Sequence, residues 1–129
     1  MNIEIKKEQW EDFFDKLSKR RGEWMTEIEV LDPAMGDQIL TRGLPLNGIT
    51  AENAGGKTTI DISVGESLSN HLTHNIIDPI RVSLLSAGPN TADIVAIEEK
   101  DGTKTLIRFM EPMGILVGFA EQVLWAGTA

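Results

Sequence analysis

The chain has no cysteine and no tyrosine, and only two histidines among its 129 residues. The missing cysteine excludes disulfides, thiolate metal sites and thiol catalysis, and it suits a reducing cytoplasm, the location expected for this protein. Basic residues are also scarce: 12 Lys and Arg stand against 20 Asp and Glu, a formal net charge of -8. A nucleic-acid partner is therefore not expected, because phosphate contacts need a basic footprint. Long hydrophobic runs are lacking as well. The longest apolar-rich stretch, Met113 to Trp125, is broken by Gly114, Gly118, Glu121 and Gln122, and a membrane-spanning helix needs about 20 apolar residues. Met1-Asn-Ile-Glu-Ile-Lys carries charges and no apolar core, so it does not read as a signal peptide. These absences describe a soluble protein with neither a membrane nor a nucleic-acid partner.

What is present suits one α+β domain over residues 1–129. This length can bury a sizeable core, and the 41% hydrophobic and 25% charged fractions are ordinary for a globular chain. Trp10, Phe13, Phe14 and Leu17 recur at helical spacing, which predicts an amphipathic helix from about Lys7 to Arg21 with its aromatic face on a sheet. Gly22 is placed to stop it in a left-handed conformation, and the basic run Lys16 to Arg21 reads as a solvated helix end.

From Glu23 the period becomes 2. Trp24, Thr26, Ile28 and Val30 alternate with Met25, Glu27 and Glu29, a half-buried strand closed by Asp32-Pro33. A second strand is expected over Gln38 to Leu46, then a turn at Asn47-Gly48 and another strand over Ile49 to Asn53. Gly55-Gly56 is a further turn before the alternating Thr58, Ile60, Ile62 and Val64. Gly65 to Asn70 reads as loop, and Pro79 opens a strand through Ile80, Val82 and Leu84, ended by Gly88-Pro89-Asn90.

The last hairpin turns around Asp101-Gly102. A two-residue turn would set Arg108 on the face of Val95 and Ile97. A three-residue turn with Gly102 in a bulge instead groups Val95, Ile97, Thr105, Ile107 and Phe109, leaving Glu98, Lys104 and Arg108 opposite. The second register is preferred, because burying an unpaired arginine costs more than a bulge. The expected architecture is an N-terminal amphipathic helix on an antiparallel sheet of about six strands, strongly bent or barrel-like. The tail from Gly114 to Trp125 is apolar on many sides. It must be buried, either in its own domain or against a second copy in a homodimer.

The order of features resembles a family of short bacterial proteins defined only as a domain of unknown function. The resemblance lies in the helix Glu8-Gln-Trp-Glu-Asp-Phe-Phe14, Glu29-Val-Leu31 and Leu44-Pro-Leu-Asn-Gly-Ile49. It continues through Asn70-His-Leu-Thr-His74, Pro79 and the Asp101-Gly102 hairpin ending in Arg108-Phe109. It spans most of residues 8–112 and stops before the apolar tail. It implies a compact bacterial domain and brings no activity, cofactor or catalytic residue.

His71 and His74 are the candidate ligand-binding residues. Three apart on a helix they would lie close together, but Leu72, His74 and Ile76 alternate with His71, Thr73 and Asn75. That is a strand pattern, in which the two imidazoles point to opposite faces and cannot share a metal. His74 then sits among apolar neighbours and needs a hydrogen-bond partner. Ser67, Ser69, Thr73 and Asp78 lie near the histidines in sequence without a nucleophile elbow. Asp61-Ile-Ser63-Val-Gly65 is a fragment of a cyclic-dinucleotide signature lacking its paired arginines. Gly56-Lys57-Thr58 lacks both the earlier glycine and the following helix of a phosphate loop. No catalytic, cofactor-binding or metal residue is assigned and no cofactor is expected. The function expected is a non-enzymatic binding or interaction module. The alternative is a small-ligand sensor or enzyme with a pocket near His71 and His74, joined by Asp61, Asp78 or Arg81.

Overall fold

A computed structural model describes residues 2–22, 24–67, 69–85 and 93–110 of the chain. The elements are β1 (Asn2–Ile5), a 3-10 turn (Lys7–Gln9), α1 (Trp10–Arg21), β2 (Met25–Asp32), β3 (Gly36–Ala54), β4 (Lys57–Ser67), β5 (Asn70–Ile77), β6 (Pro79–Leu85), β7 (Asp93–Glu99) and β8 (Lys104–Met110). The strands form an antiparallel sheet of eight, in the order β1-β6-β7-β8-β2-β3-β4-β5, which stays open between its edges β1 and β5. The α+β class is as expected, with eight strands instead of about six. The apolar segment 113–125 and the turn Gly88 to Asn90 lie outside the described residues.

Local pattern accounts for much of this. Thr26 and Ile28 are fully buried on β2 while the carboxylates of Glu27 and Glu29 pair with arginines on the other face. The β7–β8 hairpin has the register with Val95 opposite Ile107 and Ile97 opposite Thr105, all fully buried. Arg108 lies on the far side, 2.8 Å from Glu29. Gly55 and Gly56 both have positive φ and make the β3–β4 turn, as two-residue hairpins require.

Several expectations are corrected. Asn47-Gly48 is not a turn: β3 runs unbroken from Gly36 to Ala54 and changes partner there, pairing with β2 up to Pro45 and with β4 from Leu46. A bulge between Leu46 and Gly48 and the positive φ of Gly43 take up the change of direction. Gly65 to Ser67 and Asn70 are not loop, since β4 continues to Ser67 and β5 opens at Asn70. A register shift between Pro79 and Arg81 leaves Ile80 half exposed while Val82 keeps to the core. Gly22 has φ -53° and ψ 133°, not a left-handed stop. Glycine is favoured there because a Cβ would lie 3.0 Å from the Ser18 carbonyl oxygen, a tight contact.

The bend encloses the core. His74 on β5 comes within 3.3 Å of Thr105 on β8, although four strand spacings, about 19 Å in a flat sheet, separate the two strands. Ile49, Ile60, Ile62 and Ile76 from one end of the sheet therefore pack with Ile28, Val82, Val95 and Phe109 from the other. Trp10 and Phe14 of α1 enter the same cluster, with Phe13 and Leu17 at its margin, as the aromatic stripe predicts.

Polar contacts from Trp10, Ser18 and Arg21 tie α1 to the sheet. Trp10 Nε1 donates to the Ile5 carbonyl at 2.9 Å. Arg21 is not solvated, as its basic neighbours suggest, but buried: it pairs with Asp93 at 2.5 Å and lies 4.2 Å from the Trp24 ring centroid. Ser18 Oγ accepts from the Ile49 N–H at 2.9 Å and donates to the Ile49 carbonyl at 3.1 Å. Beyond its bulge β3 has, among the described residues, β4 as its one strand neighbour, so alternate backbone groups face away from β4, and Ser18 takes the place of a strand there. Ser18→Ala leaves both Ile49 groups without this partner beneath the helix. It is expected to cost about 1–3 kcal/mol, read as a lower denaturant midpoint at unchanged slope.

Candidate functional site

The His71–His74 window forms β5 because its apolar residues recur at every second position, and two backbone constraints bound it. At the start, Gly65 has φ 152° and lies opposite His71. An added Cβ would meet the Asn70 carbonyl oxygen at 2.6 Å and His71 Cα at 2.7 Å, so only glycine lets the two strands approach there. At the end, Asp78 has φ 51° and donates its backbone N–H to the Thr58 carbonyl at 2.9 Å. The chain thus turns from β5 directly into the buried Pro79.

Between these limits the histidines face opposite ways. His71 is exposed on the outer face, its Nε2 2.9 Å from Ser63 Oγ. His74 points inward to Thr105, which is fully buried. The strand separates the two imidazoles as its alternation predicts, so they cannot hold one ion between them. Among the described residues no group of three or more His, Asp or Glu is arranged to hold a metal ion.

The other candidate side chains disperse. Asp61 shares the outer face of His71 and accepts from the Asn75 side-chain amide. Asp78 stays at the corner. Arg81 is drawn to the other end of the sheet, with Nη1 2.5 Å from Glu98 and Nε 3.1 Å from Glu4; these carboxylates, Glu98 foremost, raise its pKa. Ser67 and Ser69 bond to each other at 3.0 Å. The residues that do meet the histidines, Ser63 and Thr105, were missed by the sequence reading. The β4–β5 register was the available signal for Ser63. Nothing local pointed to Thr105, because its approach to His74 exists only in the bent sheet.

Burial pushes the His74 pKa below its ordinary value of 6.5, favouring the neutral ring. The folded state then binds fewer protons than the unfolded chain just below pH 6.5. The stabilising effect of a neutral His74 is fully present above that pH and is lost as pH falls toward the folded pKa. Glu99 acts in the opposite sense: burial, then Asp101 and Asp32, raise its pKa, so its contribution improves as pH falls. Denaturant melts from pH 7.5 to 5 are expected to show wild type losing stability relative to His74→Gln as pH drops. A constant difference would mean that the ring does not titrate differently on folding.

Comparison with known proteins gives membership without chemistry. A protein from Aquifex aeolicus (strain VF5), described as uncharacterized, is 44% identical over 46 residues, covering 36% of this chain and 41% of the relative. The chain thus spans less than half the length of that protein. No solved structure matches. Residues 1–116 match the model of a family described as of unknown function, DUF5335. With all of β1 to β8 and the helix inside that match, the chain belongs to the DUF5335 family.

Proposed function

We propose that this chain is a bacterial, cytoplasmic, non-enzymatic binding and interaction module whose partner is a protein, with residues 113–125 contributing to a homodimer. The observation that carries this reading is the dispersal of its scarce reactive side chains. His71 and His74 occupy opposite faces of β5, Asp61 is engaged by Asn75, and Arg81 by Glu98 and Glu4. Acid–base or nucleophilic catalysis needs such groups convergent on one reacting atom. The net charge of -8 favours a protein partner over a polyanion.

A second reading, a small-ligand sensor or enzyme, draws on one feature: His74 and Thr105 set two hydrogen-bonding groups beside the hydrophobic core. Native mass spectrometry of protein purified without affinity metal separates the two readings. The expected result is a dimer with no retained mass. A monomer carrying a stoichiometric small molecule or metal, lost when both histidines are replaced, would overturn the interaction module.

A further inference from the structure

Strand edges are the places where this fold can accept another chain, and the described residues leave four without a strand neighbour. Three are blunted by recognisable devices. β1 has only four residues and carries Glu4, which is paired with Arg81. The first part of β3 contains Asp37, Arg42 and Pro45 and is broken by two register shifts against β2. The second part of β3 is sealed by α1, with Ser18 on the Ile49 backbone. Among the described residues β5 shows none of these protections along its ladder from Gly65 to Thr59. Its eight residues, Asn70-His-Leu-Thr-His-Asn-Ile-Ile77, include no carboxylate, lysine, arginine, proline or glycine. Its pairing with β4 is regular from Gly65 to Thr59. Among the described residues β4 is its only strand partner, and Ile77 at its end is 54% exposed.

We propose that β5 is an association edge, and that its occupant is β5 of a second copy, aligned antiparallel about a two-fold axis. This rests on the reading of the chain as an interaction module and places a homodimer contact on the sheet. Charge selects the occupant. A two-fold contact brings each surface patch against itself, so in a chain of net charge -8 most patches would set carboxylate against carboxylate. β5 meets itself with no charged side chain at all. A continuous outer face requires residues of like parity to meet. Centred on Thr73, this sets Thr73 against Thr73 of the partner subunit, and His71 against Asn75 of the partner subunit. Thr–Thr and hydrogen-bonding pairs of this kind are favourable across strands. The carboxylate of Asp61, one strand inward, is already engaged by the Asn75 amide.

The test uses the full chain, with sedimentation equilibrium over a concentration series. Thr73 is exposed on the outer face, so Thr73→Lys is compatible with the fold, checked by circular dichroism and thermal melting, and sets two cations together across the axis. It is expected to weaken the dimer roughly fivefold or more. Thr50→Lys, on the outer face of β3 and separated from β5 by β4, should leave association unchanged. Because the chain lacks cysteine, Thr73→Cys also takes a single spin label, and double electron–electron resonance should then report a short distance between subunits. A dimer indifferent to Thr73→Lys, with labels far apart, would overturn the β5 pairing while leaving the interaction module standing. A chain monomeric at every concentration would overturn pairing with a second copy. Failure of the interaction module itself would register separately, as a retained ligand in the mass spectrum.

Discussion

β3 serves two partners in turn, and the rest of the structure depends on that exchange. Gly36 to Pro45 lie against β2, Leu46 to Ala54 against β4, and the direction changes over a few residues that include Gly43, Pro45 and a bulge. Without the bend, the apolar faces of β4 and β5 would have no opposing surface. With it, Ile60, Ile62 and Ile76 bury themselves against residues of β2, β6, β7 and β8. The hydrophobic gain of closing the two halves sustains a strand whose hydrogen bonding is interrupted in the middle.

A bend of this kind strands backbone polar groups in the interior, and the fold answers with side chains. Ser18 reaches from the helix to both backbone groups of Ile49, and Thr26 Oγ1 donates to the Leu44 carbonyl at 2.8 Å. The helix thereby acts as more than a hydrophobic lid: it finishes the sheet where a strand is missing. The Arg21–Asp93 pair at its far end ties the last turn of the helix to the start of β7. A buried ion pair contributes less to net stability than its short distance suggests, because both charges give up water, but the loss of either partner leaves an uncompensated charge.

The same geometry governs what the surface offers. Pairing in β5 sends its histidines to opposite faces, so the window cannot act as a bidentate site, and each ring instead meets a hydroxyl. The outer face of the other sheet half is crosslinked by ion pairs, Arg42 and Arg108 around Glu27 and Glu29, and Arg81 around Glu4 and Glu98. A face so engaged is occupied with itself. The uncharged edge at β5 is different in character, and it draws the functional reading toward association instead of chemistry.

Periodicity carried the local part of this structure. The stripe of Trp10, Phe13, Phe14 and Leu17 determined a helix and its buried side. Alternation determined the inner faces of β2 and β4 and the opposite facing of His71 and His74. The cost of burying Arg108 decided the register of the last hairpin. Tertiary structure decided whatever depended on residues far apart in sequence. β1 exists as a strand only because Ile3 and Ile5 lie against Leu84 and Val82. Asn47-Gly48 has the composition of a turn, yet becomes a bulge because β4 offers β3 a new partner at that point. Arg21 reads as one more cation in a basic helix end until Asp93 and Trp24 enclose it. Thr105 meets His74 only across the bent sheet. A single sequence records the preferences of neighbouring residues, whereas each of these four outcomes is set by a partner that the chain reaches only after it has folded.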